Sequence, residues 1–504
     1  MIAVLQLLQL GLICTWYRLD VLLPGRPWWL WLWPFWLVPR GRTSDAERFA
    51  GALERLGPIY IKLGQLLSNR ADLFTPELIQ ALRRLRDAVS PIDPGRAREL
   101  IEAELGAPVD EVFAEYEAAP LAAASIAQVH AARLHSGEAV VIKIVRPNLD
   151  RRVRRDLDVL RLLGRIVEFI RPDFQRFKLA DVLADYERII LDEMDLRIEA
   201  LYAELMARNA RTHRLYRIAQ IHPQYTTERL MVSERVSGIA LDDLEGLRSA
   251  GVDLSLLAER GVRIFFTQLL SDNFFHADMH PGNHFVDITR PEDPRYLSID
   301  CAIAGSLERR NMATLVKLFL HLDEGDYDGM AQTLARAGWV SPEAPMARLG
   351  VVIRRIAEPV RGAPLGQISL AEVVGKIFQA GYEFRFRLPT NLALLHKTLL
   401  QIEGLGRQLD PELNLWDIAV PMLRSWHAEH YGPRAVLGRL VGALDALVQL
   451  PEAALASIKS GAAPARSAPA SASRPRTLLL IALGALIGVA GAGLYPYIAQ
   501  WCNA

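Results

Sequence analysis

The chain has 504 residues, of which 51% are hydrophobic, and its 58 basic side chains equal its 58 acidic ones. This length allows roughly three domains of about 150 residues, and the composition excludes a disordered protein or a small disulfide-stapled one. A formal net charge of zero gives no reason to expect nucleic acid as a partner, because such binding depends on clustered positive charge. The three cysteines, Cys14, Cys301 and Cys502, fit neither a zinc ribbon nor a disulfide framework, so a reducing compartment is expected.

The first 44 residues hold six of the ten tryptophans, interspersed with arginines and prolines. These interruptions argue against a transmembrane helix, whereas aromatic rings beside arginines are typical of a segment that lies on a membrane interface. Packing of the segment on the soluble body is the alternative. A secretory signal is not expected, because no short positive region precedes the apolar run and no cleavage site is evident.

Helical periodicity dominates the soluble body, residues 45–449, for example in segments 76–87 and 181–208. A β-rich stretch lies within it, where residues 126–134, a Ser136-Gly137 turn and residues 139–145 predict a hairpin. Segments 230–236 and 296–299 are further strand candidates. The body is therefore predicted to be α+β, with a small sheet after a helical lead and mostly helices toward its end.

The C-terminal region contains the clearest membrane signal. Residues 477–499 have no charged side chain, and a helix of that length reaches about 34 Å, enough to cross a bilayer. An Ala-, Pro- and Ser-rich linker precedes it, and its arginines place the soluble body in the cytoplasm by the positive-inside rule. Gly484 and Gly488 permit close packing of two such helices in a homodimer, although a glycine-rich span without a partner explains them equally well.

Residues 276–283 read His-Ala-Asp-Met-His-Pro-Gly-Asn and carry a pattern typical of phosphoryl transfer. Asp278 would orient the attacking oxygen, while Asn283 and Asp300, which follows a short strand, would hold magnesium against nucleotide phosphates. The order Asp, Asn, Asp matches the catalytic loop and metal-binding segment of kinases.

A transition-metal site is the rival interpretation of this segment, because His276, Asp278 and His280 alternate and His284 adds a third imidazole. Pro281 and Gly282 would break a strand there, and no other His-rich segment offers further ligands. A structural loop without chemistry is the remaining alternative.

A kinase-like site also needs an upstream lysine on a strand, paired with a glutamate from a helix. Lys143 lies among β-branched residues, where a charge needs a partner, and it is one of only seven lysines beside 51 arginines. The following helical segment offers Glu193, Asp195 and Glu199, although an ordinary solvated helix would show such acids too.

No glycine-rich loop precedes the hairpin, where a kinase would use one to cover the phosphates. That position holds Ala122, Ala123, Ala124 and Ser125 instead. Alanine restricts the backbone where glycine would allow positive φ, so an unusual mode of nucleotide binding is expected. A plain helix start or turn is the alternative.

Together these motifs resemble the UbiB family of atypical protein-kinase-like proteins over about residues 51–426. The matching stretches are the K-x-G-Q motif at 61–65, the alanine-rich loop running into 126–130, residues 141–143, the E-x-D motif at 193–195 with Glu199, and residues 276–283, 299–302 and 397–408. Two departures stand out: Ala302 replaces the glycine usual after the metal-binding Asp, and His284 stands where an apolar residue is expected.

The resemblance implies a role for each matched residue. Lys143 and Glu199 would form the phosphate-positioning ion pair, and Asp278 would be the catalytic carboxylate. The K-x-G-Q segment would pack over the place where a protein kinase accepts its peptide. Its regulatory set is Lys62, Gly64 and Gln65 with Glu193 and Asp195, and the ATP-binding set is Ala122, Ala123, Ala124, Ser125, Lys143, Glu234 and Val236.

The resemblance further implies ATP and Mg2+ as cofactors, and ATP hydrolysis or small-molecule phosphorylation in ubiquinone biosynthesis. Expected partners are membrane lipid, polyprenylated quinone precursors and other ubiquinone-biosynthesis proteins, at a bacterial cell inner membrane. A conventional protein kinase and a nucleotide-responsive lipid-binding scaffold with little turnover remain the alternatives. The predicted parts are an interface segment (1–44), a helical extension (45–120), a kinase-like N-lobe (121–240), a helical C-lobe (241–449), a linker (450–476) and a transmembrane helix (477–499).

Overall fold

The first sheet is antiparallel with strand order β1-β2-β3-β5, and it forms because β-branched residues alternate along its central strands. Its strands are β1 (Phe113–Ala123), β2 (Ala127–Leu134), β3 (Ala139–Val145) and β5 (Leu230–Glu234). In β3, Ile142 and Ile144 are buried against one core, so the alternation of side chains turns Lys143 to the opposite face. The predicted hairpin and the α+β class are confirmed.

The computed structural model describes most of the soluble body and little beyond it. The chain divides into Met1–Gly432 and Pro433–Ala504, and the account below concerns the first unit. The described residues are 12, 13, 15–17, 43–68, 76–82, 84, 85, 91–124, 126–147, 149–170, 179–341, 343–358, 373–377, 384, 386, 389–433, 435, 437 and 441.

Strand β1 corrects the predicted boundary between the helical extension and the N-lobe. The boundary at residue 120 falls inside this strand, which starts at Phe113. The strand escaped the sequence pattern because it lies at the sheet edge, most of its side chains are exposed, and its pairing with β2 shifts register around Pro120. Its alanines and glutamates therefore show no period of two.

The helical lead is a group of helices that shares a core with one end of the first sheet. Tyr186, Ile190 and Ile59 are among its most buried side chains. The segment 181–208 forms two helices separated at Asp195, whose side chain accepts a hydrogen bond from Arg197 N–H. The helices of this half are α1 (Asp45–Leu56), α2 (Pro58–Leu67), α3 (Pro76–Leu82), α4 (Pro94–Leu105), α5 (Val109–Val112), α6 (Leu149–Ile170), α7 (Leu179–Met194) and α8 (Leu196–His213).

The second half contains a four-stranded sheet of order β4-β9-β8-β6, a two-stranded sheet of β7 and β10, and a large helical core. Its strands are β4 (Tyr216–Ile218), β6 (Ile239–Ala240), β7 (Phe275–His276), β8 (His284–Asp287), β9 (Arg295–Ser298) and β10 (Ala304–Gly305). Its helices are α9 (Leu244–Ser249), α10 (Leu254–Leu270), α11 (Arg309–Glu324), α12 (Tyr327–Ala337), α13 (Met346–Ala357), α14 (Thr390–Leu409) and α15 (Leu415–Tyr431).

Within the described ranges, no helix is both long and apolar enough to span a bilayer. The predicted transmembrane helix at 477–499 and the linker at 450–476 lie outside those ranges, as does most of the segment 1–44. These three assignments stay predictions.

Candidate functional site

Lys143 is the centre of the candidate site, because its ammonium group contacts two carboxylates. Its Nζ lies 2.8 and 2.9 Å from the two carboxylate oxygens of Glu199 and 3.1 Å from Oδ2 of Asp300. β3 supplies the lysine, the first turn of α8 supplies Glu199, and Asp300 follows β9. The structure thus brings together three residues that the sequence analysis singled out.

The charges of these residues depend on one another. Burial opposes a charged lysine, but Asp300 and Glu199 together raise the pKa of Lys143. Burial raises the pKa of Glu199 to about 7, against the attraction of Lys143. For Asp300, burial acts in the same upward direction, yet Lys143 and the Ala302 N–H hold its pKa below the usual value. Lys143 is therefore the cation that keeps Asp300 ionised.

His276 anchors the loop that carries the catalytic candidate. Its Nδ1 accepts a hydrogen bond from Asp278 N–H at 3.1 Å, so we assign the proton to Nε2, which lies 2.6 Å from Asp300 O. Burial lowers the pKa of His276 and keeps the ring neutral. This single ring ties the backbone of Asp278 to that of Asp300, although their positions are 22 residues apart in the sequence.

Asp278 is held by three side-chain donors. Its Oδ1 accepts hydrogen bonds from Lys397 Nζ and Gln401 Nε2, both at 2.8 Å, and its Oδ2 accepts one from Asn283 Nδ2 at 3.0 Å. Burial by itself would raise the pKa of Asp278, but Lys397 and Gln401 lower it to about 2. The carboxylate is therefore ionised and firmly oriented.

Asn283 and Asp300 fit a magnesium site by their chemistry, since Mg2+ prefers hard oxygen donors and retains several waters. Asn283 directs its amide nitrogen to Asp278, which leaves its carbonyl oxygen for a cation. Ile299 N–H donates to Asn283 O at 3.1 Å and places the residue before Asp300 beside Asn283. Their assignment as metal ligands stays a prediction.

The described residues do not support the transition-metal alternative. They contain no cluster of three or more His, Cys, Asp or Glu side chains that could hold a metal ion. Both nitrogens of His276 lie within hydrogen-bonding distance of backbone groups, and Nδ1 of His280 accepts from Gly282 N–H. His284 is buried in β8 with Nδ1 at 2.9 Å from Ser298 Oγ, and burial lowers its pKa to about 3.

The alanine-rich segment lies at the turn between β1 and β2. Ala122 and Ala123 end β1 and pair with β2, which excludes the helix start considered for them. Ala124 N–H donates to Ala127 O at 2.9 Å. Ser125 lies outside the described residues.

The two other residues assigned to ATP lie at the end of β5. Glu234 accepts two hydrogen bonds from the guanidinium of Arg217, at 2.6 and 2.9 Å, and its N–H donates to Gln220 O. Val236 follows the strand and is half-buried. Because the side chain of Glu234 is already engaged, it would contribute to nucleotide binding through backbone groups.

The K-x-G-Q motif lies in α2, which is fastened to its neighbours at several points. Lys62 pairs with Glu193 at the end of α7. Gln65 Nε2 donates to Leu85 O at 3.2 Å, and Gly64 packs closely against leucine side chains. Of the two E-x-D acids, only Glu193 meets Lys62 among the described contacts. Asp195 pairs with Arg197, whose hydrogen bonds lower its pKa.

Three residues of the site had no assigned role in the sequence analysis: His276, Lys397 and Gln401. His276 was considered only as a metal ligand, and the stretch 397–408 was matched without a function. The signal for Lys397 was the scarcity of lysine in an arginine-rich chain. For Gln401 no signal existed beyond its position one helical turn after Lys397.

Comparison with known families agrees with this geometry. The ABC1 atypical kinase-like domain matches residues 84–334, which include Lys143, Glu199, Asp278 and Asp300. The UbiB helical domain matches residues 353–414, which include Lys397. Over 474 residues the chain is 43% identical to "Probable protein kinase UbiB" of Azotobacter vinelandii, covering 92% of this chain and 88% of the relative. The chain belongs to the UbiB family.

Other UbiB-family proteins match over nearly the full length. "Probable protein kinase UbiB" of Pseudomonas aeruginosa PAO1 is 40% identical over 519 residues, covering 99% of this chain and 97% of the relative. Among solved structures, the Rv3197–erythromycin complex from Mycobacterium tuberculosis matches with a TM-score of 0.49 and 21% identity, covering 76% of this chain and 94% of that one. The chain therefore has the atypical kinase-like domain and helical domain of UbiB proteins.

Proposed function

We propose that the protein is a membrane-anchored atypical kinase or ATPase that binds ATP and Mg2+ and supports ubiquinone biosynthesis. Its substrates would be polyprenylated quinone precursors, which it phosphorylates or extracts from the bilayer. The observation that carries the proposal is the contact of Lys143 with both Glu199 and Asp300. Its arrangement is the one that phosphoryl transfer requires of a lysine, a helix glutamate and a metal-binding aspartate.

Each residue would have a distinct task in the reaction. Lys143 would bind the nucleotide phosphates, fixed by Glu199, and Asn283 and Asp300 would hold Mg2+. When bound, Mg2+ supplies positive charge that offsets the charge of the phosphates. Asp278 would orient the attacking hydroxyl or water as a hydrogen-bond acceptor, because a carboxylate with a pKa of about 2 is a weak base.

The contacts of α2 favour a small-molecule acceptor over a protein acceptor. Besides the ion pair of Lys62 with Glu193, the hydroxyl of Tyr186 in α7 donates to Ile59 O at the start of α2. A helix fastened by buried polar contacts is costly to displace, so we propose that it stays in place and excludes peptides.

A scaffold with little turnover is the second candidate function, and the contacts of Asp278 favour it. Three donors occupy this carboxylate, which leaves little capacity for an acceptor hydroxyl. In that case nucleotide binding would control lipid binding, and hydrolysis would be slow.

The proposed location is the cytoplasmic face of a bacterial inner membrane. The predicted helix at 477–499 would anchor the protein, and the Trp-rich segment 1–44 would lie on the interface. Membrane lipid, quinone precursors and other ubiquinone-biosynthesis proteins are the proposed partners. Gly484 and Gly488 support a homodimer through the membrane helix.

Nucleotide binding and turnover by the purified protein test this proposal. We expect Mg2+-dependent release of ADP that increases with lipid vesicles containing phenolic quinone precursors. Asp300→Asn removes a charge from the metal site, so Mg2+-dependent ATP affinity should fall by roughly tenfold or more. Unchanged affinity in this variant would contradict the assignment of Asp300. Strong binding with no turnover under any condition would favour the scaffold.

A further inference from the structure

A second lysine reaches the catalytic loop from the helical domain. Lys397 and Gln401 are four residues apart in α14, so they lie on the same face of this helix. Both donate to Oδ1 of Asp278 at 2.8 Å. The candidate site is thus built from both matched domains, since Asp278 lies in the kinase-like domain and Lys397 in the helical domain.

The hydrogen-bonding capacity of Lys397 exceeds what Asp278 uses. An ammonium group has three donors, and Asp278 is its one partner among the described contacts. The side chain is 25% exposed, so its remaining donors are within reach of a ligand. In the same site Lys143 is already shared between two carboxylates.

The charge balance of the site also favours a ligand for Lys397. Three carboxylates, those of Glu199, Asp278 and Asp300, face only two ammonium groups. A polyphosphate chain adds several negative charges, which a single lysine shared with Glu199 and Asp300 would compensate poorly. Asp278 holds the ammonium group of Lys397 in place, so binding a phosphate would cost little side-chain entropy.

We propose that Lys397 is a second phosphate-binding lysine, which contacts the polyphosphate of the bound nucleotide while Gln401 holds Asp278 in position. The inference rests on the proposed nucleotide-binding function and deepens it. Under this assignment the helical domain is part of the nucleotide site. The competing explanation is that Lys397 only neutralises the carboxylate of Asp278.

A double-mutant cycle separates the two explanations, because Asp278→Asn removes the charge that Lys397 would neutralise. In that background we expect Lys397→Met to weaken Mg·ATP binding by at least about tenfold, as for loss of a charge-assisted hydrogen bond. AMP affinity should change less than about twofold, and Lys397→Arg should restore part of the ATP affinity. Binding is measured by calorimetry on the full chain, independently of turnover.

The matched control is Lys317→Met, which removes a lysine from α11 whose ammonium lies 5.3 Å from the ring of Tyr431. It should leave ATP and AMP affinities as in the parent. Equal ATP affinities with and without Lys397 in the Asp278→Asn background overturn the inference but leave the proposed function standing. Failure of the wild-type chain to bind any nucleotide overturns both. Melting temperatures verify folding, and Lys397→Gln replaces Lys397→Met if the latter does not fold.

Discussion

Lys143 shows how a buried charge can be stabilised by partners from distant parts of the chain. Its ammonium group meets Glu199 and Asp300, which are 56 and 157 residues away in sequence. Removing either carboxylate would leave the lysine with incomplete compensation, which is costly in a partly buried site. Because a bound cation would compete for Asp300, metal binding and the position of the Lys143 side chain are coupled.

His130 provides a similar case outside the site. This fully buried residue places Nδ1 at 2.9 Å from Glu117 O and Nε2 at 2.8 Å from Gln128 Nε2. Nδ1–H therefore donates to the carbonyl, and Nε2 accepts from the amide of Gln128. Protonation of Nε2 would set two donors against each other, and burial lowers the pKa of His130.

This arrangement predicts a pH dependence of stability. A histidine with a lowered pKa in the folded state stabilises the protein above the unfolded pKa, about 6.5, and this contribution is lost as pH falls below it. The slope that His130 contributes cannot exceed about 1.4 kcal/mol per pH unit. We expect His130→Gln to flatten the loss of stability between about pH 6.5 and 5, as measured by urea unfolding.

The control for this experiment is His135→Asn, on the exposed turn of the same hairpin. Its slope should match that of the wild type. A His130→Gln variant with an unreduced slope would show that another group carries the acid sensitivity.

At the scale of elements, helix α2 is packed so closely that it has no room for a side chain at Gly64. A Cβ there would lie 2.3 Å from Leu85 Cδ1, 2.9 Å from Leu53 Cδ1 and 3.3 Å from Leu82 Cδ2. These three leucines are at most 5% exposed, so they have little freedom to move aside. The glycine of K-x-G-Q thus has a packing reason in addition to any regulatory one.

We therefore expect Gly64→Ala to reduce the free energy of unfolding by about 1–3 kcal/mol, because overpacking exceeds the gain in helix propensity. Gly404→Ala in α14 is the matched control, since a Cβ there meets no atom within 4 Å. That exposed position should gain up to about 1 kcal/mol. Denaturant unfolding of both variants measures the difference, and a stabilised Gly64→Ala would refute close packing at α2.

At the scale of the whole molecule, the helical domain and the catalytic loop cannot be separated. Phe275 and Ala277, on either side of the anchoring His276, share one hydrophobic core with Leu395 and Leu399 of α14. The contacts of Lys397 with Asp278 rest on this core. Truncation within α14 should therefore disrupt the site as well as the helix.

Truncation after residue 464 should have the opposite outcome. It removes the predicted span at 477–499 but no residue of the cores in the first unit. We expect a folded protein that leaves the membrane pellet once residues 1–40 are also removed and high salt is applied. Sedimentation with membranes under these conditions would contradict the anchoring model, and the full chain is the reference.

The sequence by itself determined the α+β class, the hairpin around Lys143 and the residues of the phosphoryl-transfer pattern. These features are local: β-branched alternation predicts strands, and the order of Asp278, Asn283 and Asp300 is visible along the chain. The edge strand β1 was not predictable, because exposed side chains and register shifts remove the periodic signal.

The tertiary structure alone decided which partners these residues have. Sequence spacing left Glu193, Asp195 and Glu199 as equal candidates for Lys143, whereas the fold directs Glu199 to Lys143 and Glu193 to Lys62. It also brought Lys397 to Asp278 across 119 residues. Such pairings depend on how packed cores position helix faces, and no local pattern encodes the distance between residues on separate elements.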